Sequence, residues 1–181
     1  LITWDAKRRS RLAAPLRTED SGALDFTLGP DDNFRLSARA DRIEVLNDGT
    51  LAFIDFKTGQ PPSLDQVLAG IAPQLTLEAA IARDGGFAAL GAYPTSELLY
   101  VKLGGKKKGE EKFILPKEGT VSELVAQHLT DFKAMLDAYW NKGHPFLSRP
   151  IAQFARRFNE YDHLARVKEW LRGGEEGGDD E

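Results

Sequence analysis

Asp55 and Lys57 are two charged residues inside an otherwise apolar segment, FIDFKTG, at residues 53–59. Side chains two positions apart on a strand point to the same face, so an extended conformation places this carboxylate beside this ammonium. Charged groups are seldom buried unless they are paired or bind something, because their desolvation is costly. The segment therefore predicts a functional site on a strand.

A second carboxylate, Asp41, is expected to lie opposite Asp55. The segment ARADRIEVL precedes the turn at residues 47–49, NDG, which leads into the FIDFKTG strand. A three-residue loop with Gly49 in the left-handed conformation pairs Asp41 with Asp55. A two-residue loop would pair Asp41 with Phe56 instead. In the first register the two Cβ atoms lie about 4.5–5.5 Å apart, which is close enough for the carboxylates to share one divalent cation.

Asp41, Asp55 and Lys57 together suit metal-assisted hydrolysis of a phosphodiester. Two carboxylates and the backbone carbonyl of Phe56 are the oxygen ligands that Mg²⁺ prefers, with water completing its shell. The metal would lower the pKa of a bound water, and the lysine would position that water or stabilise charge in the transition state. The set therefore predicts a site for Mg²⁺ or Mn²⁺ next to a catalytic lysine.

The elements that carry these residues are predicted from alternation and capping signals. LDFTLGPDDNFRLSARADRIEVL reads as two strands around a turn, and LAFIDFK reads as a third. SLDQ is a capping box that starts a short helix, and Pro73 opens an Ala-rich and Leu-rich helix that begins with Gln74. SELLYVKL and EKFILP predict two more strands. TVSE starts the longest helix, from Val121 to about Trp140.

The second of these strands is expected to present two distinct faces. One face would carry Leu36, Ala38 and Ala40, because strand side chains alternate with period two. The other would carry Arg39, Asp41, Ile43 and Val45. The N-terminal segment TWDAKRRSRL is predicted to be the end of a helix, which Pro15 closes.

Composition places the chain among ordinary globular proteins. It has 181 residues, of which 41% are apolar and 29% charged, and it has no apolar run of the roughly 20 residues that span a bilayer. No membrane association is therefore expected. The absence of cysteine excludes disulfides and cysteine-bound metals, and it fits a reducing cytoplasm, as does the lack of a signal peptide.

Charge is uneven along the chain. Five acids lie in the Gly-rich tail GGEEGGDDE, and without them the formal charge of −4 becomes +1, so net charge does not indicate a partner. A single domain is expected over residues 1–172, followed by a disordered acidic tail at 173–181. The start without an initiator methionine suggests a fragment of a longer chain.

The ordered motifs RADRIE, IDFKTG and PQLTLE resemble the PD-(D/E)XK nuclease superfamily in its RecB-like branch, specifically the C-terminal nuclease domain of AddB. The resemblance runs from Phe34 to Ala82, and the late segment YDHLARVKEW is also similar to AddB-type chains. It implies an α/β restriction-endonuclease-like fold, with a mixed sheet flanked by helices. It also implies a magnesium-dependent DNA exonuclease that works with an AddA-type helicase–nuclease on double-strand breaks in the bacterial cytoplasm.

The resemblance also implies a role for each motif residue. Asp41 and Asp55 would be the metal ligands, together with the carbonyl of Phe56, and Lys57 would be the catalytic lysine. Gln74 would be the helix residue of the family's Q-x-x-x-Y element.

The chain departs from the family pattern at several points. Glu78 stands where the pattern has tyrosine. The family also has an acid or a histidine on a helix before the first strand, and Asp5 is a poor candidate for it. Many AddB-like nucleases hold an iron–sulfur cluster with four cysteines, so this chain would belong to a cluster-free branch.

Other readings remain open at this stage. Asp55 and Lys57 would also fit an exposed strand face, and Gln74 would fit a polar helix start. Arg39, Arg42 and Thr58 are expected DNA contacts, although strand arginines form salt bridges as often. A lysine run at residues 106–108 is most simply a solvated turn. A non-catalytic scaffold that keeps the nuclease fold is the competing function, and a nuclease of the same superfamily that acts in phage or in CRISPR adaptation is a third reading.

Overall fold

The computed structural model describes residues 2–29, 32–88, 90–104 and 109–145, so the predicted tail and the lysine run lie outside the described residues. No helix within these ranges is both long and apolar enough to cross a membrane. The elements in chain order are α1 (Ile2–Arg9), β1 (Arg17–Thr27), β2 (Asn33–Val45), β3 (Leu51–Lys57), α2 (Leu64–Leu68), α3 (Gln74–Arg83), β4 (Thr95–Lys102), β5 (Glu110–Phe113) and α4 (Val121–Trp140).

The five strands form one mixed sheet in the order β1-β2-β3-β4-β5. β3 and β4 run parallel, and the other neighbouring pairs are antiparallel. The parallel pair needs a crossover connection, which contains α2 and α3. This arrangement confirms the predicted α/β fold with a mixed sheet flanked by helices.

The hairpin between β2 and β3 has the predicted three-residue loop. Gly49 has a φ of +79°, and its N–H donates to the carbonyl of Leu46 over 2.9 Å. The N–H of Leu46 donates to the carbonyl of Thr50 over 2.8 Å. The ladder that follows pairs Arg42 with Ile54. The ladder ends at this pair, and the next residues beyond it are Asp41 on β2 and Asp55 on β3.

β2 does not keep strict alternation along its length, which corrects the expected division into two faces. Ala40 and Ile43 lie in the same apolar core, and Leu36, Ala38 and Val45 pack against that core. The shift falls near Asp41, where the ladder with β1 has no pair between Asp41 and Glu19, although its register is the same on both sides. Glu19 lies in the left-handed region with a φ of +52°.

Each face of the sheet is covered by different helices. α3 and α4 pack on the first face, where Phe53, Leu98 and Tyr100 are fully buried. On the second face Ile54, Leu99 and Val101 form a smaller apolar cluster with Trp4 of α1 packed against it. The residues around β3 therefore have a helical layer on both sides.

A buried ion-pair cluster joins α1 to the second face. Arg8 donates through Nε to Glu44 over 2.8 Å and through Nη2 to Glu97 over 2.9 Å. Arg42 donates to Glu44 over 2.8 Å and to Asp5 over 2.5 Å. Glu44 is fully buried, and the two arginines are 4% and 6% exposed. The cluster thus fixes α1 against β2 with charges that are largely removed from water.

The outer edge of β1 is covered in its middle by the chain that follows α3. The N–H of Ala23 donates to the carbonyl of Gly86 over 3.0 Å, and Phe87 forms a bridge with Gly22. A Cβ on Gly86 would collide with the carbonyl oxygen of Ala23, so this close approach requires glycine. The opposite edge of the sheet is β5, which has four residues.

Candidate active site

Asp41 and Asp55 lie on the adjacent strands β2 and β3, each one residue beyond the Arg42–Ile54 pair, and their direct pairing stays a prediction. Asp55 is 3% exposed, and Asp41 is half-buried. The Oδ2 atom of Asp41 accepts a hydrogen bond of 2.9 Å from the backbone N–H of Phe56. This bond ties the Asp41 carboxylate to the strand that carries Asp55.

Lys57 lies beside Asp55 on β3. Its Nζ donates to Oδ1 of Asp55 over 3.0 Å and lies 2.9 Å from Oδ2. The Oδ2 atom is buried and makes no hydrogen bond with good geometry to the described residues, so its contact with the ammonium is electrostatic. Because the lysine side chain is 33% exposed, its charge reaches solvent while it neutralises the aspartate.

Gln74, the first residue of α3, joins this group. Its Oε1 accepts from Nζ of Lys57 over 3.2 Å, and its Nε2 donates to Oδ1 of Asp55 over 2.8 Å. The helix starts directly after Pro73, whose ring suits this position because a helix start needs no N–H donor there. The structure therefore brings together four of the residues predicted for the site: Asp41, Asp55, Lys57 and Gln74.

Glu78 is a third acid at this place, one helical turn after Gln74. It is 4% exposed, and its Oε1 accepts from Nε2 of Gln74 over 3.1 Å. Burial raises the pKa of Glu78 to about 7, the Gln74 hydrogen bond opposes this, and the charges of Asp55 and Asp41 add to it. From the sequence alone, Glu78 is only a departure from the family pattern. Its i,i+4 spacing from Gln74 is the signal that places it in the cluster.

Tyr100 of β4 is a further residue at the site, and its place there is not predicted from the sequence. It pairs with Asp55 in the parallel register, is fully buried, and has a hydroxyl without a hydrogen-bond partner among the described residues. Burial and then the charges of Asp55 and Glu78 raise the pKa of its phenol. Nζ of Lys57 lies 5.8 Å from the centre of its ring. Tyr100 could be placed beside Asp55 only from the register between the parallel strands β3 and β4, and the sequence does not give that register.

The three residues expected to contact DNA differ in exposure: two are exposed and one is buried. Arg39 is exposed and pairs with Glu19 over 2.6 Å, and Thr58 is exposed directly after β3. The expectation for Arg42 is corrected, because its guanidinium belongs to the ion-pair cluster and is neutralised by Glu44 and Asp5. A phosphate would have to break that cluster to reach it.

Asp5 also lies away from the candidate site. It bonds Arg9 and Arg42, and these hydrogen bonds hold its pKa below the usual value. Within the described part of the chain, no three His, Cys, Asp or Glu side chains are grouped so that they would hold a metal. A cation at Asp41 and Asp55 would therefore need backbone or water oxygens to complete its shell.

A mixed five-stranded sheet flanked by helices, with two acids and a lysine on adjoining strands, defines an α/β protein. The model of the PD-(D/E)XK nuclease superfamily matches residues 1–167, and the chain belongs to that superfamily. Proteins of this superfamily are generally nucleases and typically use Mg²⁺ or Mn²⁺.

The chain is also similar to curated proteins of Rickettsia. It is 24% identical to the uncharacterised protein RC0550 of Rickettsia conorii, over 91% of this chain and 21% of that one. It is 29% identical to an uncharacterised protein of Rickettsia bellii, over 48% of this chain and 10% of the relative. The chain thus spans about a fifth or less of these relatives. The crystal structure of SSO0001 aligns with a TM-score of 0.41 and 14% identity, over 86% of this chain and 68% of that one.

Proposed function

We propose that this protein is a metal-dependent DNA nuclease whose site consists of Asp41, Asp55, Lys57 and Gln74. The observation that carries the proposal is the hydrogen-bonded group of Asp55, Lys57 and Gln74, with the Asp41 carboxylate held at the adjoining strand. Membership of a superfamily of nucleases supports it.

Asp41, Asp55 and the carbonyl of Phe56 would hold Mg²⁺ or Mn²⁺. The donor set fits such a cation because all its atoms are oxygens, and because the buried Oδ2 of Asp55 lacks a hydrogen bond among the described residues. When bound, the metal supplies a water of lowered pKa and neutralises charge on the phosphate. The chain has no cysteine to ligate an iron–sulfur cluster, so we propose no such cluster.

The protein's own side chains have separate tasks in this proposal. The Lys57 ammonium is partly exposed and can donate to a phosphate oxygen or hold the attacking water. Asp55 and the carbonyl oxygen of Gln74 both accept from that ammonium and so fix its position. The exposed Thr58 and Arg39 are the proposed contacts to the DNA backbone.

A finer proposal concerns the whole protein. We propose that residues 1–172 form the nuclease domain of an AddB-type subunit, which works with an AddA-type helicase–nuclease on double-strand breaks in the bacterial cytoplasm. The motif order of the sequence supports this role. The rickettsial relatives are much longer than this chain, which is consistent with a nuclease domain that is one part of a larger subunit.

A non-catalytic scaffold is the second candidate. Two observations favour it: Glu78 occupies the place of the family's tyrosine, and Asp5 pairs with arginines away from the site. Calorimetric binding of Mn²⁺ separates the candidates, because a scaffold has no reason to order a cation between Asp41 and Asp55.

Cleavage of end-labelled linear DNA tests the nuclease proposal. We expect single-stranded or double-stranded DNA to be degraded with Mg²⁺ or Mn²⁺, and Lys57→Ala to abolish the activity. Lys7→Ala is the matched control, since Lys7 is an exposed lysine on α1. The absence of both cleavage and Mn²⁺ binding would refute the nuclease proposal and favour the scaffold.

A further inference from the structure

The side-chain amide of Gln74 has a hydrogen-bond partner inside the site for its carbonyl oxygen and for both of its N–H donors. Its carbonyl oxygen accepts from Lys57, and its nitrogen donates to Asp55 and to Glu78. A primary amide has two N–H donors and one carbonyl acceptor, so each has a partner here. The amide therefore connects the lysine to two acids in a single arrangement.

The orientation of the Gln74 amide decides whether its carbonyl oxygen or its NH₂ group faces the Lys57 ammonium. With the observed orientation, the ammonium faces an acceptor. Rotation by half a turn would bring N–H donors against the ammonium and the carbonyl oxygen against the carboxylates of Asp55 and Glu78. Both contacts would be repulsive. Asp55 and Glu78, which accept from the NH₂ group of Gln74, therefore favour the orientation in which its carbonyl oxygen faces Lys57.

We infer that Glu78 is a positioning residue, which acts through the Gln74 amide to hold the Lys57 ammonium against Asp55. The inference rests on the proposed function, for which Lys57 is the catalytic lysine. Glu78 itself needs no contact with DNA or metal. Its contribution is an acceptor oxygen at 3.1 Å from Nε2 of Gln74, which adds to the bond that Nε2 donates to Asp55.

The surroundings of Glu78 argue against a purely structural role. Leu75, Ala79 and Ala82, its neighbours on α3, are fully buried apolar residues, and Glu78 is 4% exposed. A carboxylate at such a position costs free energy that an apolar side chain would avoid. Within the described residues Glu78 makes no ion pair, and it belongs to no group of three metal-binding side chains. The hydrogen bond to Gln74 is the contact that accounts for it.

Two substitutions of Glu78 by side chains of similar size distinguish the effect of its acceptor oxygen from the effect of its volume. Glu78→Gln keeps a carbonyl oxygen for Gln74, whereas Glu78→Leu removes every acceptor. We expect kcat on DNA to fall about tenfold or more in Glu78→Leu and to stay within about threefold in Glu78→Gln. KM should change little in both variants, because the lost contact orients a catalytic group and does not hold the substrate.

A double-mutant cycle with Gln74→Ala tests whether Glu78 acts through the amide. If it does, Glu78→Leu should cause no further loss of kcat in the Gln74→Ala background. Additive losses would overturn the inference, since Glu78 would then act on the site by another route. Equal damage from Glu78→Gln and Glu78→Leu would also overturn it.

A measurement without DNA or metal keeps the inference separate from the proposed function. The heteronuclear ¹H–¹⁵N NOE of the Gln74 side-chain amide should show a rigid group in the wild type and in Glu78→Gln, and a mobile one in Glu78→Leu. A mobile amide in the wild type would refute the inference. An inactive wild type with the expected NOE pattern would refute the nuclease proposal and leave the role of Glu78 in orienting the amide supported.

Discussion

Glu78 is a buried acid whose pKa, raised by burial to about 7, lies near physiological pH. The ordinary value is 4.5, so the folded protein holds this proton more tightly than the unfolded chain does. The free energy of unfolding should therefore fall as pH rises from about 4.5 to about 7, by at most roughly 3 kcal/mol.

Glu78→Gln should remove this pH dependence, because its amide does not ionise. Urea unfolding at pH 5 and pH 8 in EDTA measures the effect, with Glu118→Gln in the exposed turn before α4 as a control for the loss of one acid. Glu78→Gln should gain stability at pH 8 relative to the wild type. The same pH profile in both proteins would contradict the assigned burial of Glu78.

Glu44 should be among the acids whose loss destabilises the protein most. Glu44→Ala would remove the carboxylate that Arg8 and Arg42 share and leave each arginine with one acid, Glu97 or Asp5. We expect a cost of about 3 kcal/mol, the lower end of the range for breaking a buried pair. Asp25→Ala is the control, because Asp25 and its partner Arg35 are 64% and 67% exposed. That surface pair should contribute about 1 kcal/mol or less in urea unfolding.

Residue spacing predicts much of the candidate site and little of its surroundings. The two-residue interval from Asp55 to Lys57 predicts the contact between these side chains, and the Asn47–Gly49 turn predicts the three-residue loop that leads into β3. Alternation tells which residues share a face, but it does not tell which helix covers that face. The burial of Arg42 beneath α1 and of Glu78 between α3 and the sheet could therefore not be predicted from the sequence.

At the scale of elements, the β2–β3 hairpin depends on one backbone conformation. Gly49 has a φ of +79°, and a Cβ placed there would touch nothing within 4 Å. Gly49→Ala should therefore cost about 1–2 kcal/mol through backbone strain alone. Gly59→Ala is the matched control, since a Cβ there also meets nothing but the backbone is not left-handed. Thermal unfolding of both variants checks the prediction, and equal effects would contradict it.

Local signals predicted the helices better than the strand faces. The capping boxes SLDQ and TVSE both form, with Ser63 and Thr120 as N-caps, because their partners lie three residues away. The shift of alternation in β2 was not predicted, since it coincides with the left-handed conformation of Glu19 on another strand. Features set by a few neighbouring residues can be predicted from sequence, and features set by a pairing partner cannot.

At the scale of the whole molecule, a cation bound by Asp41 and Asp55 should stabilise the fold. A ligand that binds only the folded state raises the free energy of unfolding in proportion to the logarithm of its concentration above Kd. We expect Mn²⁺ to raise Tm in the wild type and in Asp25→Asn, but not in Asp55→Asn. A rise of equal size in Asp55→Asn would place the bound metal elsewhere.

The covered edge of β1 has a consequence for how the protein behaves among copies of itself. An open strand edge offers unpaired N–H and carbonyl groups to other chains, which is a route to aggregation. Gly86 and Phe87 occupy the middle of the β1 edge. At the other edge, β5 is short and carries Glu110, Glu111 and Lys112. Both ends of the sheet thus discourage strand-to-strand association between molecules.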